Sequence, residues 1–274
     1  MRQHKEALGD YTKAIEYKPS CPIAYKNRAD LYETMNEYEL ALQDYCAALT
    51  HDPEYTPAYN DRGCLYKKMG KFKLALEDYS KACELTGKYY HFSNRAHVKE
   101  MLGLYDSALE DYTKAIELES NNRLAYNNRS SLWNLFKEYE KAIEDSNKTI
   151  VLAPTQANPY SHRAFALCEQ GNLLEALENV EKSIQLNPNY PRSYCYKAYI
   201  LYKKGEFEEA LINCDKCIQL HSEEIPDIYY VRALIMIEKG DKGKAKEDLE
   251  KCVDIKFKVR VFNQNLVSNL LEQL

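Results

Sequence analysis

Long apolar runs and glycine-rich loops are both missing from this sequence of 274 residues. No run of 18 apolar residues occurs, so the sequence predicts no membrane-spanning helix. The glycines number only nine and are dispersed, which argues against a phosphate-binding loop. The first residues predict a charged amphipathic helix rather than a signal peptide.

A strong excess of one charge is also missing. The net charge is -5 and both signs are interspersed, so nucleic acid is not expected as a partner. Nine scattered cysteines without a secretory signal indicate reduced thiols in the cytoplasm. Cys214 and Cys217 form the one CxxC pair, but they occupy repeated core positions and are interpreted as packing residues. No catalytic residue, metal site or cofactor is predicted.

A pattern of about 34 residues recurs along the chain. Its landmark is an alanine within an aromatic-x-x-alanine-apolar step, as in Tyr38-Glu39-Leu40-Ala41-Leu42. Successive landmarks lie 34, 34, 33, 34, 34, 34 and 35 residues apart. The landmarks are Ala7, Ala41, Ala75, Ala108, Ala142, Ala176, Ala210 and Ala245. A fixed period of this length predicts a stack of one supersecondary unit, in which each copy packs only against its neighbours.

Each copy predicts two short helices that cross closely. A small residue stands twelve positions before the landmark alanine, and a larger side chain at either position would overpack the crossing. A glycine stands five positions before five of the landmarks, where the first helix must end with a positive φ. Tyrosines such as Tyr25, Tyr32 and Tyr45 recur between these positions and are interpreted as core.

The segments Ala24-Tyr25-Lys26-Asn27-Arg28-Ala29 and Glu37-Tyr38-Glu39-Leu40-Ala41-Leu42-Gln43-Asp44-Tyr45, repeated at this period, resemble the tetratricopeptide repeat (TPR) family. The resemblance implies an all-α, superhelical solenoid of helix-turn-helix repeats. We expect a single solenoid over residues 1-274, with the second helix of a truncated repeat at 1-19 and a C-terminal capping helix at 258-274. The predicted full repeats are 22-55, 56-88, 89-122, 123-156, 157-190, 191-225 and 226-257.

A cation stands thirteen positions before the landmark alanine, and an aspartate usually stands three positions after it. The cation precedes the crossing residue, points into the stack and therefore needs a partner. The partner of Arg28 is either Asp44 in the same repeat or Asp10 in the preceding one, and both assignments leave mismatches near Lys197 and Arg232. The predicted structural ion-pair ladder comprises Arg28, Arg62, Arg95, Arg129, Arg163, Asp44, Asp78, Asp111 and Asp145.

The TPR resemblance implies that the first helices line a concave groove. The residue before each arginine is expected to face that groove, and its asparagines resemble the ladder of peptide-gripping TPR proteins of the O-GlcNAc transferase and importin-binding type. A carboxamide can bond both the N–H and the C=O of a passing peptide. Near the C-terminus we expect Tyr196, Tyr199 and Tyr230 to be accessible and to hold partner side chains. The predicted peptide-binding groove comprises Asn27, Asp61, Asn94, Asn128, His162, Tyr196, Tyr199 and Tyr230.

These features predict a non-enzymatic scaffold in the cytoplasm that binds a protein or an extended peptide. The carboxylate clamp of co-chaperone TPR domains is not expected, because Asp30 and Asp61 stand where a chaperone tail would place its own carboxylate. One alternative is a structural subunit of a large assembly, such as a ciliary, microtubule-associated or other multiprotein complex, that docks through outer or terminal surfaces. Another is the recruiting arm of an enzyme whose catalytic domain lies outside this chain. A further possibility is that the asparagines are simply solvated.

Overall fold

The computed structural model describes residues 2–220, 225–254 and 264–273. All secondary structure in these ranges is helical, so the predicted all-α class is confirmed. The chain divides into two compact units, residues 1–120 (unit 1) and 121–274 (unit 2), which are described separately. The prediction of one continuous solenoid stays a prediction.

Unit 1 consists of a single helix followed by three helix pairs. Its helices are α1 (Arg2–Tyr17), α2 (Pro22–Thr34), α3 (Tyr38–His51), α4 (Thr56–Lys68), α5 (Phe72–Leu85), α6 (Tyr89–Met101) and α7 (Tyr105–Leu118). The first helices of the pairs are α2, α4 and α6, and each packs against the second helix of its own pair and the helix before it. Helix α1 falls within the segment predicted as a truncated repeat.

The described part of unit 2 consists of four helix pairs and a last helix. Its helices are α8 (Arg123–Leu135), α9 (Tyr139–Leu152), α10 (Ala157–Glu169), α11 (Leu173–Leu186), α12 (Pro191–Lys204), α13 (Phe207–Gln219), α14 (Asp227–Glu238), α15 (Lys242–Asp254) and α16 (Gln264–Gln273). Helix α16 packs on α15 through buried Val267. Residues 258–263 of the predicted capping helix lie outside the described residues.

The first helix of each pair ends where the sequence predicts it. Positive φ angles occur five positions before the landmark alanine in every pair. Glycine occupies this position in five pairs, whereas Asn36 (φ 63°) and Lys137 (φ 60°) occupy it in the other two. A left-handed residue ends the helix and turns the chain into the second helix of the pair. The turn is therefore fixed by backbone geometry, and glycine is the usual but not the necessary residue.

The helix crossings are as close as the sequence predicts. The landmark alanines from Ala41 to Ala245 are fully buried, and the small residues twelve positions earlier are buried as well. At Gly63 an added Cβ would lie 3.0 Å from the ring of Tyr79. Such a contact is tighter than ordinary van der Waals packing, so the Tyr79 ring would have to shift by a few tenths of an ångström to accept even an alanine here. The rings of Tyr45, Tyr79 and Tyr112 are fully buried, whereas Tyr25 and Tyr32 are half-buried against the cluster that contains Tyr45.

The predicted ion pairs form within repeats. Five arginines each donate two hydrogen bonds of 2.7 or 2.8 Å to the aspartate sixteen positions later in the same helix pair. These aspartates are almost fully buried, whereas the arginine side chains are 17–22% exposed. The pairs are Arg28–Asp44, Arg62–Asp78, Arg95–Asp111, Arg129–Asp145 and Arg232–Asp248. The choice that the sequence left open is thus decided in favour of the same repeat.

Two repeats of unit 2 depart from this pattern. Arg163 Nε donates a hydrogen bond of 2.8 Å to Oδ1 of Asn179, which replaces the aspartate. Its Nη1 donates a second one, of 2.7 Å, to Oδ1 of Asn147 in the preceding pair. Burial lowers the pKa of Arg163, since its partner carries no charge. In the next pair Lys197 replaces the arginine, and its Nζ lies 3.3 Å from Oε1 of Glu181. The mismatched pairs therefore fall at Arg163 and Lys197, and Arg232 is matched.

Candidate functional site

A polar network joins two of the first helices of unit 1. Lys26 Nζ on α2 lies 2.7 Å from Oδ2 of Asp30 and 2.8 Å from Oδ2 of Asp61 on α4. The Tyr45 hydroxyl donates a hydrogen bond of 2.7 Å to the other carboxylate oxygen of Asp30. Although burial alone would lower it, hydrogen bonds to the two aspartates raise the pKa of Lys26 above its ordinary value. The cation is thus held by two carboxylates from neighbouring repeats.

The network continues to α6 through a residue that the sequence did not single out. Asn60 Nδ2 donates a hydrogen bond of 2.9 Å to Oδ1 of Asp61, and Asn94 Nδ2 donates one of 3.1 Å to Oδ1 of Asn60. The structure therefore connects the two predicted residues Asp61 and Asn94 through Asn60. Asn27 is half-buried on α2, and its side chain makes no hydrogen bond with any residue that the structure describes.

A recess of about 450 Å³ opens beside this network. Three of its lining residues carry carboxylates and two carry ammonium groups, so the recess is charged but nearly balanced. Its lining residues are Lys26, Asp30, Glu33, Thr34, Tyr45, Asp61, Cys64 and Lys68. Most of these charges are already paired within the recess, because Lys68 Nζ also lies 3.7 Å from Glu33.

Unit 2 contains a recess of different chemistry, which we call the amide recess. It has a volume of about 430 Å³ and lies between the first turns of α8, the start of α10 and the end of α11. None of its nine lining residues is ionisable, and five of them are carboxamides. They are Leu124, Asn127, Asn128, Thr155, Gln156, Ala157, Asn158, Leu186 and Asn187. The predicted groove residue Asn128 thus lies in an uncharged, hydrogen-bonding site.

Asn127 forms the buried part of the amide recess. It is 7% exposed, and its Nδ2 donates a hydrogen bond of 3.1 Å to Oδ1 of Asn128. Its own Oδ1 is buried and accepts no hydrogen bond from the residues that the structure describes. Buried side-chain acceptors are nearly always satisfied in folded proteins. Asn127 Oδ1 therefore lacks the donor that a buried acceptor usually has.

The prediction that His162 faces a groove is wrong. The residue is 4% exposed, and its Nδ1 lies 3.1 Å from the Ser130 hydroxyl. Its backbone carbonyl oxygen accepts a hydrogen bond of 2.9 Å from Asn134 Nδ2. Burial, together with the nearby charge of Arg192, lowers the pKa of His162 to about 3. Helix α10 carries few polar side chains here and packs against α8 and α12, which places His162 in the core.

We expect acid to destabilise the protein through His162. Between pH 6.5, the ordinary pKa, and about 3, the unfolded chain binds a proton that the folded chain excludes. Stability should therefore rise with pH across this window, by about 1.4 kcal/mol per pH unit, and be lost as pH falls. Urea denaturation at several pH values measures the slope, with His162→Asn as the control that removes this proton. Identical pH profiles for the two proteins would contradict the expectation.

The expected accessibility of Tyr196 and Tyr199 is also wrong. Their exposed fractions are 1% and 6%, and both rings pack on buried Phe165, at centroid distances of 4.9 and 5.8 Å. The Tyr199 hydroxyl donates a hydrogen bond of 2.7 Å to Oε1 of Glu169, so this hydroxyl is satisfied inside the stack. Tyr230 is half-buried against the same core cluster. The aromatic residues of unit 2 therefore build a core where the sequence predicted a recognition surface.

The CxxC pair also belongs to this core. Cys214 and Cys217 are fully buried in the apolar cluster of unit 2, as their repeat positions predict. Burial raises the pKa of the Cys214 thiol, so it is held in its neutral form. All nine cysteines are free thiols.

Three residues of the amide recess that sequence reasoning missed lie at helix ends. Gln156, Asn158 and Asn187 complete the amide recess, whereas the predicted groove residues lie further along the first helices of the pairs. The run Gln156-Ala157-Asn158 at the start of a repeat is a signal that could have found them. Asn60 and Asn127, each directly before a predicted groove residue, could have been found in the same way.

Models of tetratricopeptide repeats match most of the chain. Those described as "Tetratricopeptide repeat" match residues 1–56, 56–86, 92–122, 191–223 and 226–258, and one described as "TPR repeat" matches 165–205. The chain therefore belongs to the tetratricopeptide repeat family. A comparison with curated protein sequences found no match. None of the described helices combines the length and the apolar character needed to cross a membrane.

Solved structures show the same fold. A tetratricopeptide repeat protein from Parabacteroides merdae is 20% identical, with a TM-score of 0.73 over 92% of this chain and 97% of that chain. YrrB, described as a TPR protein with an unusual peptide-binding site, is 26% identical, with a TM-score of 0.59 over 67% of this chain and 95% of that chain. A chain of the APC/C hetero-tetramer Cut9-Hcn1 is 16% identical, with a TM-score of 0.70 over 98% of this chain and 52% of that chain.

Proposed function

We propose that this TPR protein, an interaction scaffold by family, holds an extended segment of a partner protein on the first helices of its repeats. In unit 2 the segment lies across the amide recess, where Asn128 bonds its main chain. In unit 1 it lies along α2 and α6, where Asn27 and Asn94 take the same role.

The observation that carries this proposal is the composition of the amide recess. Five carboxamides and no ionisable group surround a space large enough for a ligand. A carboxamide supplies two donors and one acceptor, which match the C=O and N–H of an extended chain whatever its side chains are. The peptide-binding site named for YrrB supports a peptide ligand, since that protein shares the fold and 26% of aligned residues.

The charged recess of unit 1 disfavours an acidic chaperone tail. Lys26 already contacts Asp30 and Asp61 at 2.7 and 2.8 Å. A third carboxylate from a partner would meet two like charges without gaining a free cation. The expected partner segment is therefore neutral or basic where it passes α2 and α4.

Docking through outer surfaces, as in a structural subunit, has less support. The most exposed apolar side chains on the second helices of unit 2 are Val151, Leu174 and Ile212. They occupy non-equivalent positions in their repeats, and single exposed apolar residues are normal on protein surfaces. A cytoplasmic location and a role as the recruiting arm of an enzyme stay predictions.

A peptide selection tests the proposal. Short random peptides displayed on phage are selected against the immobilised protein, and enriched peptides are measured by fluorescence anisotropy. Asn128→Ala should weaken the peptides that bind unit 2 by roughly three- to tenfold, because one or two hydrogen bonds are lost. Asn27→Ala combined with Asn94→Ala should do the same for peptides that bind unit 1.

Asn189→Ala is the matched control, because Asn189 is exposed in unit 2 and lies outside the amide recess. Its affinity for every peptide should equal that of the wild type. Circular dichroism is used to check that each variant is folded. Enriched peptides that bind all variants equally, or the enrichment of no peptide, would exclude the first-helix faces as the binding surface.

A further inference from the structure

Helix α1 carries the sequence of a second helix, but the face that a first helix would cover is open. Ala7 is a landmark alanine, and Asp10, Tyr11 and Ala14 follow it at the spacing found in α3. In each described pair these four positions are buried, and the first helix packs on the second. On α1, Asp10 and Ala14 are exposed, whereas Ala7 and Tyr11 are half-buried. We call these residues, together with Tyr17, the α1 face.

Asp10 on the α1 face has no counter-ion among the residues that the structure describes. In five pairs the equivalent aspartate is buried and bonded to an arginine of the first helix. Asp44, for example, accepts hydrogen bonds of 2.7 and 2.8 Å from Arg28. A guanidinium matches both oxygens of a carboxylate. Asp10 is therefore placed to receive an arginine from a covering helix.

An exposed aromatic ring lies at the other end of the α1 face. Tyr17 is 93% exposed, more than any other large apolar side chain of the described residues. Its counterpart in α3 is His51, which stacks on Tyr25 of α2 at a centroid distance of 5.4 Å. Tyr25 stands three positions before Arg28, so a single first helix supplies both the ring and the guanidinium. Asp10 and Tyr17 have the spacing of the two contacted residues of α3, so one helix can reach both.

We infer that the α1 face binds an amphipathic helix of a partner protein. That helix carries an aromatic residue three positions before an arginine, and a small residue directly after the arginine. The arginine donates to both oxygens of Asp10, the aromatic ring stacks on Tyr17, and the small residue lies at the crossing with Ala7. This surface is separate from the first-helix faces of the proposed function and does not depend on them.

A second copy of this chain is a poor source of such a helix. Six first helices have the required pattern, and in each the arginine is already bonded to the aspartate or asparagine of its own pair. These arginines are Arg28, Arg62, Arg95, Arg129, Arg163 and Arg232. To offer one of these helices, the copy would have to break its own ion pair and open its own core. Helix α16 contains no arginine. The charge on Asp10 therefore favours a helix from a different protein.

A peptide with the sequence of α2, Pro22–Thr34, is the probe, because it carries the required pattern. It is acetylated, labelled at its C-terminal end and titrated into the full chain, with fluorescence anisotropy as the readout. An isolated helix of three turns is marginal in water, so affinities are compared between variants. Binding is expected, and Asp10→Arg should weaken it about tenfold or more, because an ion pair is replaced by two like charges. Ala14→Leu should weaken it about tenfold, because the added side chain overpacks the covered face.

A charge swap and a matched control locate the contact. A peptide with aspartate in place of Arg28 should bind the wild type poorly and should bind Asp10→Arg about tenfold more tightly than the original peptide does. Glu16→Arg makes a change of charge on α1 similar to that of Asp10→Arg, at a position that is exposed in the other second helices too, as at Glu84 and Glu117. It should leave the affinity unchanged. All three substitutions are at exposed positions, and circular dichroism is used to check that each variant is folded.

Several results would overturn the inference. They are no binding of the α2 peptide, equal affinities for Asp10→Arg and Glu16→Arg, and no recovery with the swapped peptide. Sedimentation equilibrium of the full chain alone should show a monomer. A dimer that Asp10→Arg dissociates would assign the α1 face to a second copy and exclude the partner helix. Asn27→Ala combined with Asn94→Ala should not change the affinity for the α2 peptide, so this test and that of the proposed function fail separately.

Discussion

Arg62→Ala is expected to lower the free energy of unfolding by about 3–5 kcal/mol. Asp78 is 4% exposed, and both of its oxygens accept hydrogen bonds from the Arg62 guanidinium, at 2.7 and 2.8 Å. Burial already raises the pKa of Asp78 against the opposing effect of that cation. Without Arg62, a buried carboxylate would remain that must either stay charged without a partner or take up a proton.

The other repeats provide a graded comparison. Arg95→Ala should cost less, because Lys99 Nζ lies 2.8 Å from the same Asp111 and remains. Arg163→Ala leaves the neutral Asn179 rather than a charge, so the loss should be about 1–3 kcal/mol.

Urea denaturation followed by circular dichroism measures this series. The double variant Arg62→Ala with Asp78→Ala should recover part of the loss, because it removes the stranded carboxylate. Lys73→Ala, at an exposed position on α5, is the surface control. If Arg62→Ala costs no more than Lys73→Ala, the ladder is solvated. Equal losses in the three arginine variants would show that the stranded carboxylate does not set the size of the loss.

Tyr196→Ala is expected to cost a similar amount, about 3–5 kcal/mol. The ring is 1% exposed and packs at 4.9 Å from Phe165, between the first helices of two repeats. Its removal would leave a cavity that the neighbouring helices cannot fill completely. Tyr196→Phe should change stability little, since the hydroxyl accepts only a 3.4 Å bond from Arg192 Nη1.

The pair of tyrosine variants separates packing from recognition. Urea denaturation should show a large loss for Tyr196→Ala alone, and peptides selected on the wild type should bind Tyr196→Phe unchanged. A small stability loss for Tyr196→Ala, combined with weaker peptide binding, would restore the accessible aromatic surface that the sequence predicted.

The candidate site was predictable in part. Asn128 was expected from its position before an arginine, and it does lie in a recess, but the same rule also selected His162 and Tyr196, which are buried. Equivalent positions on successive repeats differ in exposure because the neighbouring side chains differ. Tyr196 and Tyr199 pack on Phe165 in the core, whereas Asn27 on α2 is half-exposed.

The sequence by itself determined the helices, their ends and their crossings. Helical periodicity, the positive φ before the second helix and the small residues at each crossing act within about one repeat, so a single chain displays them as a period. The tertiary structure alone decided that Arg28 pairs with Asp44 and not Asp10, and that Asn127 rather than Tyr196 faces a recess. These outcomes depend on which side chains of the adjacent helices cover a given position, and sequence spacing does not contain that information.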